Sequence, residues 1–354
     1  MTGNDATGKA GAAGAAAKPR RRRARAAGRA SAGRVVALHA GVIALLFALQ
    51  FVLPAYHHGV LARIMVLAVF AMGYNLLFGY AGLLSLGHAM FFSAGLYGAG
   101  LSVYHLGWSV PAGFAAGVLA GLVLSALIGV LALRTTGVAF MIVTMMFAQV
   151  FYLTTLYFNV WTGGDQGIVL PQPSRVVTAF GSTFDLTDPT TRYLAALALF
   201  SLVLVATLAL VRSPHGRVLV AIRENEQRTT MLGYDTFANK LAAVVASGAA
   251  CAAAGAAYAL LFGYVGSTFA SVQYSILPLL WVLLGGAATT LGPLLGTLFM
   301  YYLIDISNDL LSAWVPDWNF SSIGVVGVAL ILLILFFPRG LLGTIRERWL
   351  PWLP

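Results

Sequence analysis

Arg212 to Lys240 reads RSPHGRVLVAIRENEQRTTMLGYDTFANK, a charged island between two stretches with almost no charge. Upstream, no Asp, Glu, Lys or Arg occurs from Ile64 to Leu133, nor from Thr135 to Gly164. Downstream, none occurs from Leu241 to Ile304. Hydrocarbon excludes uncompensated charge, so the flanks read as membrane and the island as facing water. Within the island Val218 and Ile222 stand four apart, and Gly233 follows the apolar pair Met231–Leu232. That pattern predicts a short helix over 217–232 closed by glycine. An apolar-faced helix in a wet loop is what a membrane channel needs to receive push from a soluble motor. The chain is therefore a transporter candidate.

Hydrophobic residues make up 60% of the 354-residue chain and charged residues 9%, with a mean hydropathy of +0.87. Soluble domains carry about 25% charged residues, so this composition excludes a large water-soluble core. At about 20 residues per span, the anticipated spans are 35–55, 61–78, 82–105, 110–133, 137–158, 192–211, 241–263, 273–288, 290–306 and 321–337. The expected fold is an all-α polytopic membrane protein of about ten transmembrane helices. Eight or nine stay open, because 80–105 and 264–295 are Gly-rich and are candidates for broken or re-entrant segments. Gly79–Tyr80–Ala81–Gly82 and Gly263–Tyr264–Val265–Gly266 each precede a Ser-containing apolar segment. This is a weak internal repeat of the kind that points to a pathway between two halves. The Gly117–Gly121 spacing reads as close helix packing.

The net charge of +10 is concentrated at one end. Through Arg34 the chain holds nine basic residues against Asp5 alone, a local excess of +8. Residues 1–33 are expected to form a disordered, Ala/Gly-rich cytoplasmic tail that touches anionic membrane lipid. The tail lacks aromatic residues for base stacking, so nucleic acid is not expected as a partner. A cleaved signal peptide fits poorly, because the apolar segment after Arg34 is too long. Starting inside, the ten-span count leaves Arg134, the 212–240 loop, Arg339, Arg346 and Arg348 inside. It leaves the 159–191 loop and the acidic 307–320 loop outside, so every cluster of positive charge is cytoplasmic. The permease region is 34–342, followed by a short cytoplasmic tail, 343–354.

Catalytic and metal chemistry finds little support. Gly3 to Lys9 matches most of a phosphate-binding loop, but Ala10 lacks the hydroxyl that would hold magnesium and no strand precedes it. It reads as chance, and no nucleotide site is expected on this chain. Cys251 stands alone, and His57 and His58 are adjacent in a loop away from His88, so no metal site is expected. No paired carboxylate or nucleophile constellation marks an enzyme. Inside the spans, Asn75, Ser85, Thr144 and Gln149 are uncharged polar groups able to serve backbone or substrate. His88 fits a hydrogen-bonded packing role as well as a place on a path.

GRVLVAIRENEQRTTMLGYDTFANKLAA, from Gly216, resembles the cytoplasmic coupling segment of permeases of bacterial branched-chain amino acid ABC transporters. The likeness is close at Gly216–Arg217, Ala221 to Glu226, Leu232–Gly233 and Lys240; it departs at Arg228–Thr229, where the family carries an Ala pair. YNLLFGYAGLLSLGHAMFF, from Tyr74 to Phe92, resembles the N-terminal signature of the same family, and TGGDQG, from Thr162 to Gly167, its external loop. Leu284–Gly285–Gly286, Leu291 to Gly296 and Pro338 to Leu341 resemble its C-terminal part. The resemblance runs from about Leu61 to Leu342, and the extra leading spans are similar to the LivM-type subunit.

The resemblance implies a membrane subunit of a binding-protein-dependent ABC importer, carrying branched-chain or other hydrophobic amino acids. It implies a related permease subunit as heterodimer partner, two cytoplasmic ABC ATPases and an extracellular or periplasmic amino-acid-binding protein. ATP would be used by the partner subunits, with no cofactor on this chain. The location implied is the bacterial plasma (inner) membrane, with both termini cytoplasmic. The implied ATPase-coupling residues are Gly216, Arg217, Ile222, Arg223, Glu224, Asn225, Glu226, Leu232 and Gly233. Candidates for the translocation path are Asn75, Ser85, His88, Phe91, Phe92, Thr144 and Gln149; Gly163, Gly164 and Asp165 are candidates to face the receptor. Cargo of urea, amides or other amino acids stays open within the family. An ion-coupled secondary transporter is the rival class, although the charge-free spans offer only His88 and His105 for a proton relay.

Overall fold

The computed structural model describes residues 33–179 and 182–314, together with 324, 327, 328, 331, 335, 340–342 and 344. The basic tail, the phosphate-loop look-alike, the anticipated span 321–337 and the tail 343–354 fall wholly or largely outside them. Helix α1 (Gly33–Val52) leads into α2 (Ala55–Asn75), which widens into a π-turn at Leu76–Tyr80. There follow α3 (His88–Leu106), α4 (Val110–Ala132), α5 (Val138–Tyr157) and the single turn α6 (Asn159–Thr162). Strands β1 (Ile168–Val169), β2 (Val176–Ala179) and β3 (Ser182–Asp185) precede α7 (Pro189–Arg212). The charged island folds as α8 (Pro214–Glu224) and α9 (Glu226–Met231). Helix α10 (Thr236–Phe262), strand β4 (Tyr264–Val265), α11 (Val272–Gly285) and α12 (Gly292–Trp314) complete the order.

A centre and a shell can be told apart by burial. The apolar window of α2 is 89% buried and that of α10 is 78% buried, against 28% for α4 and 22% for α5. Helices α2, α3 and α10 are thus the core, and α4 and α5 present apolar faces outward, as lipid contact requires. The core helices meet at small residues. A Cβ on Gly95 would run into the Ala252 carbonyl, one on Gly255 into the Phe92 carbonyl, and one on Gly121 into the Ala252 methyl. Backbones approach this closely only where side chains are absent. Ser247 of α10 donates to the Gly73 carbonyl of α2 at 2.6 Å, adding a polar tie inside the apolar core.

The helical membrane architecture is as the sequence suggests, and the described helices refine it. Among the described residues, six helices are long and apolar enough to cross a membrane: α1, α2 with its π-turn, α4, α5, α7 and α10. Helix α3 is not among them despite its 19 residues. Being enclosed by its neighbours, it can carry His88, Ser93 and Ser102 without showing them to lipid. The anticipated spans 82–105 and 273–288 start or stop short, at His88 and Gly285, because both Gly-rich segments are broken. Two small antiparallel ladders interrupt the helical pattern, β2 on β3 and β1 on β4. The 159–191 loop is therefore an ordered cap: β1 pairs with β4 and Leu170 N–H donates to the Gly263 carbonyl at 2.8 Å, fixing it to the end of α10.

Close packing of α3 on α10 yields a contrast between two glycines. Gly255→Val should lower the thermal midpoint of the detergent-purified protein, with a loss of about 1–3 kcal/mol or more from overpacking. Gly59→Ala, where a Cβ meets nothing within 4 Å in α2, should be neutral or slightly stabilising. Equal midpoints for the two variants would contradict the packing.

Candidate functional site

The island folds as it does because three side chains cap three helices. Ser213 Oγ accepts from Gly216 N–H at 3.2 Å, with Pro214 at the first helical position of α8. Asn225 Oδ1 accepts from Arg228 N–H at 2.8 Å and opens α9. Asp235 Oδ1 accepts from Ala238 N–H at 3.0 Å and opens α10. Such caps satisfy amides that the helix leaves unpaired. Asn225 is extended, φ −161° and ψ 101°, so the single helix expected over 217–232 is two helices with a corner between them. Gly233, at φ 87°, closes α9 as expected. The buried face of α8 is Gly216, Leu219 and Ile222; Val218 is only half-buried. At the departure from the family pattern, Thr229 is buried and donates to the Asn225 carbonyl at 2.9 Å, so the helix forms without the Ala pair.

Two charged contacts tie this corner to the membrane core. Glu226 forms an ion pair with Lys240, a buried lysine in the first turns of α10. A cation near a helix N-terminus opposes the helix dipole, so Glu226 compensates a position that would otherwise be unfavourable. Arg223 donates through Nη1 to the Gly79 carbonyl, inside the π-turn that ends α2. Its side chain also packs on Gly82, whose φ of 73° and lack of a Cβ admit the approach. Arg217, Glu224 and Asn225 are exposed, and Met231 and Leu232 are 85% and 71% exposed.

Beyond Gly79 the contacts continue into the second half of the chain. Asn75 Nδ2 donates to the Thr289 carbonyl at 2.8 Å, and its Oδ1 accepts from Ala288 N–H at 2.9 Å. Ala288 is the one non-glycine with positive φ, 57°, among the described residues. Thr290 Oγ1 in the same turn lies 2.6 Å from His39 Nε2 of α1. Gly286, which starts the turn, abuts Gly340, so two of the stretches that resemble the C-terminal part of the family meet here.

The other anticipated residues divide. Asn75, Ser85, His88, Phe91, Phe92 and Thr144 are buried, and Gln149 is half-buried on α5. His88 Nε2 is 3.0 Å from Ser247 Oγ, whose own proton goes to Gly73, so the imidazole donates there. Its ring lies 4.5 Å from Tyr74 and 5.8 Å from Phe91. Ser85 Oγ accepts from Gly87 N–H at 3.2 Å, bracing the break before α3, and Gly87 backs onto the Thr144 carbonyl. Phe92 belongs to an aromatic group with Phe70, Tyr258, Phe269 and Tyr274. In the opposite cap, Gly163 and Gly164 take positive φ and Asp165 is exposed. No group of three or more His, Cys, Asp or Glu able to hold a metal occurs among the described residues. Sequence reasoning missed His39, Ala288 and Thr289, whose partners lie more than 200 residues away.

A buried helical core, broken at two glycine-rich turns and joined to a capped charged loop, is the architecture of a membrane permease. A family model described as the permease component of branched-chain amino acid transport systems matches residues 56–336. The chain belongs to that family. It is 30% identical over 313 residues to the high-affinity branched-chain amino acid transport system permease protein LivM of Escherichia coli, covering 80% of this chain and 69% of that one. The same figures hold for the LivM protein of Salmonella typhimurium. A probable LivM of Methanocaldococcus jannaschii is 30% identical over 143 residues, 38% of this chain and 41% of that one. No solved structure matches the chain.

The Glu226–Lys240 pair can be tested by a double-mutant cycle. Glu226→Gln should cost about 1 kcal/mol, a screened value because the glutamate is partly exposed. Adding Lys240→Met should then cost less than it does alone, since no buried ammonium is left unpaired. Strictly additive thermal shifts would rule out the pairing.

Proposed function

We propose that the protein is the membrane subunit of a binding-protein-dependent ABC importer for branched-chain or other hydrophobic amino acids. In this reading it pairs with a related permease subunit in a bacterial plasma membrane, with both termini cytoplasmic. Two cytoplasmic ATPases dock on α8 and α9, and an external amino-acid-binding protein delivers cargo to the face that carries Gly163, Gly164 and Asp165. The chain itself holds no cofactor.

One observation carries the reading. Met231, Leu232, Tyr234 and Phe237 form an exposed apolar patch at a turn flanked by Arg223, Glu224, Arg228 and Asp235. Charges so near keep the patch out of hydrocarbon, and contiguous exposed apolar surface of this kind suits a protein partner. Behind the patch, Arg223 grips the carbonyl of a broken membrane helix, so a partner pressing here acts on the core. Among the path candidates, Thr144 on α5 stands against Gly87 at the break before α3, and Gln149 lies further along the same helix; α5 is the proposed wall of the path. A zwitterionic amino acid carries no net charge, which suits an uncharged route supplied with hydrogen-bond partners.

Reconstitution with the ATPases and receptor separates the roles. Met231→Glu with Leu232→Glu should abolish co-purification of the ATPases. Arg223→Ala should leave them bound but slow ATP-driven uptake about tenfold, the effect of losing roughly 1.4 kcal/mol of coupling. Full ATP-driven uptake by the Met231/Leu232 variant, or ion-driven uptake by this chain alone, would overturn the proposal.

A further inference from the structure

At the end of the bundle opposite α8 and α9, three arginines converge on the last turn of α10. Arg63 of α2 and Arg192 of α7 both face the Phe262 ring, with guanidinium carbons 5.0 and 5.5 Å from its centroid. Arg175, just before β2, packs on Gly263, its Nη1 2.6 Å from where a Cβ would stand. Arg192 donates to the carbonyls of Leu186 at 3.3 Å and Thr187 at 3.0 Å, and Leu186 N–H donates to the Arg175 carbonyl at 3.1 Å. Like charges gathered this closely repel one another, so the arrangement calls for a counter-anion.

Among the described residues no counter-anion stands in contact with the three guanidiniums. Among the described residues the one salt bridge is Glu226–Lys240, so none of the three guanidiniums is closed by a carboxylate. Asp185 and Asp188 lie within coulombic reach of Arg175 and Arg192 and offset three positive charges with two negative ones, but neither meets a guanidinium: Asp185 accepts from Thr187 N–H at 2.7 Å and from Gln172, and Asp188 caps α7 through Thr191 N–H at 2.8 Å. Arg175 Nε is buried without a partner.

An apolar groove of about 590 Å³ opens beside this cluster, between α4, α7 and α10. Val177 and Leu186 of the β2–β3 cap line one end, and Phe114, Leu199 and Leu261 line its sides. Leu186 thus forms groove wall with its side chain while its backbone bonds to both Arg175 and Arg192. The cationic cluster and the groove are one feature.

We propose that this feature binds an anionic phospholipid, with the phosphodiester held by Arg63, Arg175 and Arg192 and an acyl chain lying in the groove. Guanidinium is suited to phosphate because it offers paired donors in a fixed plane. A free anion has no use for the groove, a neutral lipid none for the arginines, and an acidic protein surface would not enter a slot between three membrane helices.

The test uses the full chain, delipidated in neutral detergent and offered equal amounts of phosphatidylglycerol and phosphatidylcholine with identical acyl chains. Native mass spectrometry reads the bound lipid. Wild type should retain phosphatidylglycerol at least about tenfold over phosphatidylcholine, and millimolar glycerol phosphate should not displace it. R63Q/R175Q should bring the preference close to unity. A198W, which places bulk at an exposed groove position, should lower phosphatidylglycerol retention with every arginine intact. Thermal midpoints in detergent establish that the variants fold; if R63Q/R175Q does not, unchanged retention by A198W overturns the proposal. An absent preference in wild type, an unchanged one in the arginine variant, or displacement by glycerol phosphate would each overturn it.

Discussion

A membrane helix that breaks must still satisfy its backbone, and inside hydrocarbon only the protein can do so. The Asn75 carboxamide answers that demand for two breaks at once. It donates to the Thr289 carbonyl and accepts from Ala288 N–H, one amide serving both polar groups of a turn between α11 and α12. Its own helix widens to a π-turn at the next residue, and Gly79 leaves the room, since a Cβ there would meet Asn75 Oδ1 and Ala288 N. Each polar group left unmade in such a place costs about 1–3 kcal/mol. The breaks are therefore affordable only together, and the two halves of the chain are locked in register at this point.

The two glycine turns that look alike in sequence lie at opposite ends of the bundle. Gly82 has φ 73° and carries the side chain of Arg223; Gly263 has φ 71° and carries that of Arg175. The carbonyl of Gly79 accepts from the α8–α9 loop, and that of Gly263 accepts from the 159–191 cap. Helices α2 and α10 run in opposite directions to reach these turns. The two similar turns therefore face opposite ends of the bundle. Each end of the molecule uses an arginine from a water-facing segment to hold a glycine turn.

Much of this was open to reading before any coordinates. The charge-free runs identified the membrane helices, because exclusion of charge from hydrocarbon is a local property of sequence. The break before α3 and the end of α9 were legible from Gly82 and Gly233 for the same reason. The division of the island was also written locally, in the capping residues Ser213, Asn225 and Asp235. It was misread because the Val218–Ile222 spacing was allowed to run through Asn225. The enclosure of α3 was not legible, since a helix shielded by others needs no more than moderate apolarity. Nor were the bonds of Asn75 or the contact of His39 with Thr290, which join residues that only folding brings together. His88 was read as a hydrogen-bonded packing element or a path residue, and its partner Ser247, 159 residues away, was not legible in the sequence.

A load applied at Met231 and Leu232 has two entries into the core. One passes through Glu226 to Lys240 and so to α10, but this pair is partly open to water and contributes about 1 kcal/mol or less. The other passes through Arg223, also exposed, whose guanidinium donates a charge-assisted hydrogen bond to the Gly79 carbonyl. Helix α10 is also held along its length by close contact with α3 and α4, whereas the π-turn is a local widening with Gly79 as its fourth residue. In the proposed importer, displacement entering at this corner would reach the π-turn through Arg223, and Asn75 would connect it to the Ala288–Thr289 turn.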